Sequence, residues 1–595
     1  MGVQQVAGRE MTTAQDTSIG SILVADCGTV LTKVVLLDRV GGRYRFVARG
    51  ETPTTAEYPW GDVTAGIRHA AEQISAVTGR EFFKASGDLI VSDTSDERTD
   101  VFAATASASE PLRVVIGGLV RDLSVASAER AAAGTYALVS AILASDGRGG
   151  LTEEERVRTI SKAAPDVICI TGGLENGAVR PVLELVDTAA LACSLIDEKV
   201  RPRMLYAGNS ELRQKVVEIV KGRAELRVAG NVRPTLTEEN LLNAQEELND
   251  LYGQQKMQQL PGMDTLASWS SVPVTPTARA FSRVMQYLWH QGDPSKGVMG
   301  VDLGASNTTI AAVFGGHPFL TINSDMGIAF GGEKLLQVHG AEIITRWMPE
   351  VMEESEVLGL LVNKEMRPIS IPQDRRELWL EQAVAREAMR TALETARAGW
   401  RPGTAQPYLH LMPLCDTIVV SGGALTNTPR PGQAALMVLD ALQPIGVTTL
   451  VLDKYGLVPA LGNVAAVKPA AAVEALDSGC FVNLATVVAP VGRPRPGSVV
   501  LKVKVKYDDG SAFGVEVQHG HLEVLPLPPS QQAELELHPR YQFDIGLGPG
   551  RGGKRRVSGG LVGLIIDARG RPLHLPSERR QRLMQMQRWL WDVGG

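Results

Sequence analysis

Apolar residues fall into three rhythms along the chain. Short continuous runs close on an aspartate, Ile22–Ala25 before Asp26 and Val298–Val301 before Asp302. Each is followed by a small-residue turn and a second apolar run, Val34–Leu37 and Ile310–Val313. Each therefore predicts a β-hairpin with buried strands and a polar tip. Further on, PDVICITGG (Pro165–Gly173) and CDTIVVSGG (Cys415–Gly423) are apolar strands that end in Gly-Gly and run into helical sequence. The succession of Asp hairpin and Gly-Gly strand thus occurs twice, which predicts an internal duplication of two α/β units.

The second rhythm is helical. Val63, Ile67, Ala70, Ile74 and Val77 share one face, with Asp62 placed to cap the start and Gly79 the end. LTEENLLNAQEELNDLYGQQ predicts another amphipathic helix, and LPGMDTLASWSSVPVTPT after it reads as a loop. The third rhythm begins after about Ala470, where GSVVLKVKVKYDDGSAFGVEVQHG alternates apolar and polar residues about an Asp-Asp-Gly turn, a hairpin signal. LVGLIIDARGRPLHL adds a strand, and SERRQRLMQMQRWLWDV closes the chain as a helix. The expected organisation is a disordered tail (1–20), a first unit (21–235), a helical connection and loop (236–296), a second unit (297–470) and a β-rich C-terminal domain (471–595).

Composition narrows the class. The 595 residues are 44% hydrophobic and 21% charged with a net charge of −6, which is globular and exerts no general pull on nucleic acid. No apolar run approaches the ~18 residues that span a bilayer, so no membrane association is expected. The first twenty residues lack a basic start followed by an apolar core and are not read as a secretory signal; Met11 is an alternative start. The five cysteines form no Cys-x-x-Cys pair, so a reduced, cytoplasmic protein is expected, with Cys169 a small core residue.

A phosphate-holding turn needs inward backbone N–H groups, which favours glycine and small residues. It also needs a carboxylate to hold Mg²⁺, usually through water, and hydroxyls or a lysine for the phosphate oxygens. The first hairpin offers Asp26, Gly28, Thr29, Thr32 and Lys33; the second offers Asp302, Gly304, Ser306, Asn307, Thr308 and Thr309. A carboxylate at the end of an apolar strand is costly to bury without a cation or donors. One Asp-x-Gly turn is equally an ordinary turn; the second copy is what favours phosphate.

These residues resemble the actin-like ATPase superfamily of sugar kinases, actin and the seventy-kilodalton heat-shock chaperones. The resemblance implies a duplicated, ribonuclease H-like α/β fold with ATP and Mg²⁺ between two halves. Asp26 and Asp302 would orient Mg²⁺ and the attacking water, and Gly422 and Gly423 would pack on adenosine. INSDMGIAFGGEKLLQ is similar to a chaperone segment that approaches the nucleotide, which would bring Gly331 and Gly332 near the ligand. From Ser21 onward the layout resembles the GlmL/MutL family, accessory proteins of glutamate mutase. The likeness rests on ADCGTVLTKVVLLD, TASASEPLRVVIGGLVRDLSVASAERAAAGTYA, GVDLGASNTT and the Gly-Gly strand ends. It implies a slow Mg-dependent ATPase that reactivates or assembles an adenosylcobalamin-dependent mutase, whose subunits would be its partners; a homo-oligomer is left open. A small-molecule kinase and a non-hydrolysing nucleotide scaffold remain alternatives. GGLENGAVRP lacks the glycine- and aspartate-rich run expected after the first Gly-Gly, so Gly172 and Gly173 read as a tight strand-to-helix turn.

Other signals are set aside. GPGRGGKRR (Gly548–Arg556) nearly spells a P-loop but has Arg555 where Ser or Thr should meet Mg²⁺, and a strand follows rather than a helix. From Arg540 to the end there are eleven Lys/Arg against four Asp/Glu, a basic region that favours protein docking over nucleic acid. DTSDERTD (Asp93–Asp100) is either a solvated acidic loop or an edge of the cleft. No Asp-x-His-x-x-Gly cobalamin signature occurs, so the chain is not expected to hold cobalamin itself.

Overall fold

A computed structural model of the chain describes residues 20–90, 100–146, 151–493 and 497–594. The tail and all of DTSDERTD but Asp100 lie outside the described residues. Two sheets share one topology. In the first, Ser21–Cys27 pairs antiparallel with Leu31–Val40, which pairs antiparallel with Arg43–Pro53; on its other side Ser21–Cys27 runs parallel to Val101–Ala106, and that strand to Thr275–Pro276. In the second, Gly297–Leu303, Asn307–Phe314 and His317–Ser324 form the antiparallel set, while Cys415–Ser421 and Gly446–Leu452 are the parallel strands. The same order and directions recur, which is the duplicated ribonuclease H-like arrangement of an actin-like ATPase fold. The turns match as well. Gly28 N bonds Leu31 O at 3.0 Å, and Gly304 N bonds Asn307 O at 2.9 Å.

Between the sheets lie the helices Thr277–Gln291 and Val458–Val467, packed in a core that includes Ile22, Val24, Phe281, Met285, Val298 and Val419. The helices cross where a Cβ on Gly462 would lie 1.8 Å from the Ala280 carbonyl oxygen, so only glycine permits this approach. The Thr277–Gln291 helix begins at the wall of the cleft between the units and therefore turns its positive dipole end toward it. The Val63–Thr78 helix forms as its pattern predicts, with the Asp62 side chain accepting from Thr64 N and Gly79 left-handed at φ 73°. Val77, however, is exposed.

Three expectations change. First, Leu112–Gly118, Ala137–Ala144, Val167–Ile170, Arg203–Tyr206 and Leu226–Val228 form a separate all-parallel sheet, with the second of these strands at one edge and the first beside it. This doubly wound domain is inserted between Val101–Ala106 and its neighbour Thr275–Pro276. Gly172 and Gly173 belong to it and are not the counterparts of Gly422 and Gly423; the strand equivalent to Cys415–Ser421 is Val101–Ala106. Any buried strand feeding a helix needs a tight turn, and Gly172 and Gly173 supply one at φ 119° and 74°. Second, the stretch read as a loop after Leu260 contains the Met263–Trp269 helix and the edge strand Thr275–Pro276. Third, the second unit's sheet continues past residue 470, because Val482–Ala489, Gly563–Asp567 and Leu522–Leu525 extend it to eight strands. Pairing in this way covers the free edge of Gly446–Leu452. The hairpin Val499–Tyr507/Ala512–Gln518, with Gln532–Pro539 and Gly553–Ser558, forms a four-stranded antiparallel sheet. Gly553–Ser558 is the strand that replaces a P-loop helix.

The C-terminal segment is locked to the second unit by buried charge. Asp440 accepts from Arg386 Nε at 2.8 Å and Arg569 Nη1 at 2.7 Å, and Asp567 accepts from Arg569 and Arg571. Trp589 of the terminal helix Arg579–Asp592 lies under the Arg569 guanidinium, 4.5 Å from ring centre to carbon. All five cysteines are buried and free.

Candidate functional site

The two hairpin tips face one another across a cleft of about 790 Å³. They touch at one point, where the Thr29 and Ser306 hydroxyls are 2.7 Å apart. Asp26, Gly28, Thr29 and Lys33 line the cleft from the first unit, and Asp302, Gly304, Ser306, Asn307, Gly422 and Gly423 from the second. Asp26 Oδ1 accepts from Thr105 Oγ1 at 2.7 Å and from Thr277 Oγ1 at 2.8 Å. The strand register places Lys33 opposite Asp26 and Thr309 opposite Asp302. The only lysine of the two tips thus serves one side, and Thr309, also on the cleft wall, holds its position in the other.

A third carboxylate, which the hairpin pattern missed, completes the centre. Asp453 is fully buried; it caps the Val458–Val467 helix by accepting from Leu457 N at 2.7 Å and Val458 N at 3.1 Å, and it accepts from Ser421 Oγ at 3.1 Å. Burial pushes the Asp302 carboxyl from its ordinary 3.8 up to about 6; Lys33 opposes the rise, and Asp26 and Asp453 add to it. Burial also raises Asp453, against the two backbone donors and Lys33. Three carboxylates therefore share one nearby lysine. Among the described residues no three His, Cys, Asp or Glu side chains converge as a metal cage. An excess of negative charge without a cage suits Mg²⁺, which keeps most of its waters and takes one or two carboxylates plus phosphate oxygens. Asp26 and Asp302 both line the cleft, and they are the residues that would hold such an ion.

Four of the expected site residues are placed elsewhere. Thr32 is buried, with its hydroxyl 3.0 Å from that of Thr54, and Thr54 in turn donates to Gly28 O at 2.6 Å. Thr308 is buried and donates to Met326 O at 2.5 Å. Strand alternation turns both hydroxyls away from the phosphate side, where they brace the tips. Gly331 caps the Gly332–His339 helix at φ 114°, and a Cβ there would lie 2.2 Å from Asp325 O; neither Gly331 nor Gly332 lines the cleft. Their loop instead buttresses the second tip, since Ile328 N bonds Gly304 O while Ala329 N and Phe330 N bond Ala305 O. Gly422, at φ 105°, has room for no Cβ, which would meet Leu303 O at 2.1 Å. The Gly-Gly turn is thereby pressed against the end of the Asp302 strand. Along the wall that includes Ile328 and Ser370 the cleft adjoins a second compartment of about 470 Å³, where Lys364 and Glu381 pair at 2.9 Å.

The missed residues had some signal. Asp453 closes an apolar strand, GVTTLVL, just as Asp26 and Asp302 do. Thr105, buried behind Asp26, and the cleft-lining Thr277 and Tyr136 are brought there by sheet pairing and the inserted domain, which no local pattern encodes.

Two ribonuclease H-like units with facing Asp-x-Gly tips define an actin-like ATPase fold with a cleft between its units. The chain belongs to the MutL family, whose profile, described as "MutL protein", matches residues 22–480. It is 24% identical over 310 residues to "Protein MutL" of Clostridium tetanomorphum, a match spanning 49% of this chain and 64% of that relative. Solved structures that resemble it include an acetone carboxylase in nucleotide-free form (9% identity, 84% of this chain and 81% of that one, TM-score 0.32). A glycerol dehydratase reactivase (10%, 76% and 100%, 0.30) and a xylulose kinase from Bifidobacterium adolescentis (13%, 77% and 93%, 0.26) are also similar. Among the described residues no helix is long and apolar enough to cross a membrane.

Proposed function

We propose that the chain binds Mg-ATP in the interunit cleft, hydrolyses it slowly, and uses the cycle to reactivate or assemble an adenosylcobalamin-dependent mutase of the glutamate mutase type. The observation that carries the nucleotide part is the pair of facing aspartates, one per unit, with Asp302 held near pH 6. Membership of the MutL family, with the accessory role its resemblance implies, supports the partner.

In this reading the backbone N–H groups at Gly28 and Gly304 and the hydroxyls of Thr29 and Ser306 hold phosphate oxygens. Lys33 balances charge on the first side. Gly422 and Gly423 leave space for the nucleoside at the cleft wall. Asp302, ionised beside Mg²⁺, would orient the attacking water. Most of the acceleration would come from positioning and fixed charge. Opening and closing about the crossed helices would pass the nucleotide state to the partner.

The test is a pull-down of the tagged chain with Mg-ATP, with Mg-ADP and without nucleotide, probed for mutase subunits. Nucleotide-dependent recovery is expected; recovery of no mutase subunit in any state would overturn the partner assignment. ADP formation that requires a small-molecule acceptor would instead establish a kinase, and binding without hydrolysis a scaffold.

A further inference from the structure

The inserted domain reaches the cleft at Ser107, next to the preceding strand, and through Tyr136. Tyr136 stands just before the Ala137–Ala144 strand and is 3% exposed. Its ring stacks on Tyr252 of the Leu242–Gln255 helix at 5.2 Å and 23°. Its hydroxyl oxygen accepts from Ala278 N at 3.2 Å, the residue next to Thr277, whose own hydroxyl is bonded to Asp26. The side chain lines the cleft.

A phenol can accept and donate at once. Here the accepting side is used, but among the described residues nothing accepts the hydroxyl hydrogen. A buried donor left unpaired is costly. We propose that the Tyr136 hydroxyl donates to an oxygen at the phosphate end of the cleft, the terminal phosphate of bound ATP, and so reports that phosphate to the inserted domain. This rests on the nucleotide reading above. Burial, the neighbouring Tyr252, and Asp302 and Asp26 push the phenol well above its usual range, so it remains a donor at neutral pH. The route outward is short. The Tyr136 carbonyl accepts from Leu112 N at 2.9 Å, at the head of the domain's first strand, and its ring carries the stack to the Leu242–Gln255 helix. The domain is therefore a sensor of the γ-phosphate as well as an appendage.

Affinity for Mg-ATP and for Mg-ADP, by titration calorimetry, and amide exchange across Ala137–Ala144 with and without Mg-ATP test this in wild type, Tyr136→Phe and Tyr252→Phe. Phenylalanine keeps the stacked ring and removes only the hydroxyl. Tyr136→Phe should bind Mg-ATP about 10- to 100-fold more weakly, the range for a lost hydrogen bond to a charged group. It should bind Mg-ADP like the wild type, and it should lose the ATP-dependent slowing of exchange. Tyr252→Phe should match the wild type throughout. Unchanged Mg-ATP affinity and exchange in Tyr136→Phe, or equal weakening of both nucleotides, would overturn the sensor while leaving the nucleotide reading intact. A wild type that binds neither nucleotide would overturn both.

Discussion

Replacing Asp302 by asparagine should stabilise the protein while disabling it. The carboxyl is half-buried at the cleft wall, and desolvation there lifts its pKa to about 6 from 3.8. Between about pH 4 and 6 the folded protein therefore holds a proton that the unfolded chain has released. Stability falls as pH rises through that window, and above it the ionised group is a standing penalty. At about 1.4 kcal/mol per unit, two units amount to at most about 3 kcal/mol at pH 7.5. Asparagine keeps the volume and removes the charge, so that penalty disappears. The melting transition that includes the second unit should rise by up to about 6–12 °C at pH 7.5, taking about 2–4 °C per kcal/mol for a unit of this size. At pH 4 the two proteins should melt together. Mg-ATP should raise the wild-type midpoint and leave that of Asp302→Asn nearly unchanged. Scanning calorimetry at the two pH values, with and without Mg-ATP, reads all of this. A variant less stable than wild type at pH 7.5, or equally shifted at both pH values, would refute the claim that burial of an ionised Asp302 is stored strain at the site.

The other perturbations follow the same logic. Lys33→Met removes the cation shared by Asp302 and Asp453 and should lower stability by about 1–3 kcal/mol at pH 7.5, with little loss at pH 4; a pH-independent loss in thermal melts would show that Lys33 is merely packed. Gly422→Ala places a Cβ 2.1 Å from Leu303 O at a positive φ, so Mg-ATP affinity should fall at least tenfold in calorimetric titration, and wild-type affinity would remove the Gly-Gly turn from the site. Arg569→Met leaves buried Asp440 and Asp567 with one arginine each and should destabilise by about 3–5 kcal/mol, with early proteolysis after the C-terminal strands; unchanged protease resistance would contradict the charge lock. Wild-type turnover should fall as pH drops through the range in which Asp302 protonates, because only the ionised carboxylate can orient Mg²⁺ and the attacking water, and a pH-rate profile flat down to about pH 4 would exclude it from that role.

The hairpins were legible because their information is local. An apolar run, Asp-x-Gly and a returning apolar run lie within seventeen residues, and pairing Asp26 with Lys33 needs only strand alternation. The same alternation decides which strand hydroxyls point inward: Thr32 and Thr308 brace the tips, while Thr309 faces the cleft with the tip residues Thr29 and Ser306. The two Asp hairpins carry the duplication, whereas Gly172 and Gly173 belong to the inserted parallel sheet and have no part in it. A tight glycine turn follows from chain geometry in any such sheet and does not reveal which sheet it serves. Thr105, Thr277, Asp453 and Tyr136 are brought together from four distant segments. Their convergence is a property of sheet order and of the domain inserted before Thr275–Pro276, which short-range patterns do not carry. The extension of the second unit's sheet past residue 470 was hidden for the same reason, because edge pairing joins strands far apart in sequence.

The central claim is that two aspartates from two duplicated units act on one Mg-ATP. Phosphate release from Mg-ATP by the wild type and by Asp26→Ala, purified side by side and matched in circular dichroism and melting behaviour, tests it most directly. The account predicts slow, Mg-dependent release by the wild type that is stopped by chelation, and none above background from the variant. Wild-type release by Asp26→Ala, or no release by the wild type, would contradict it.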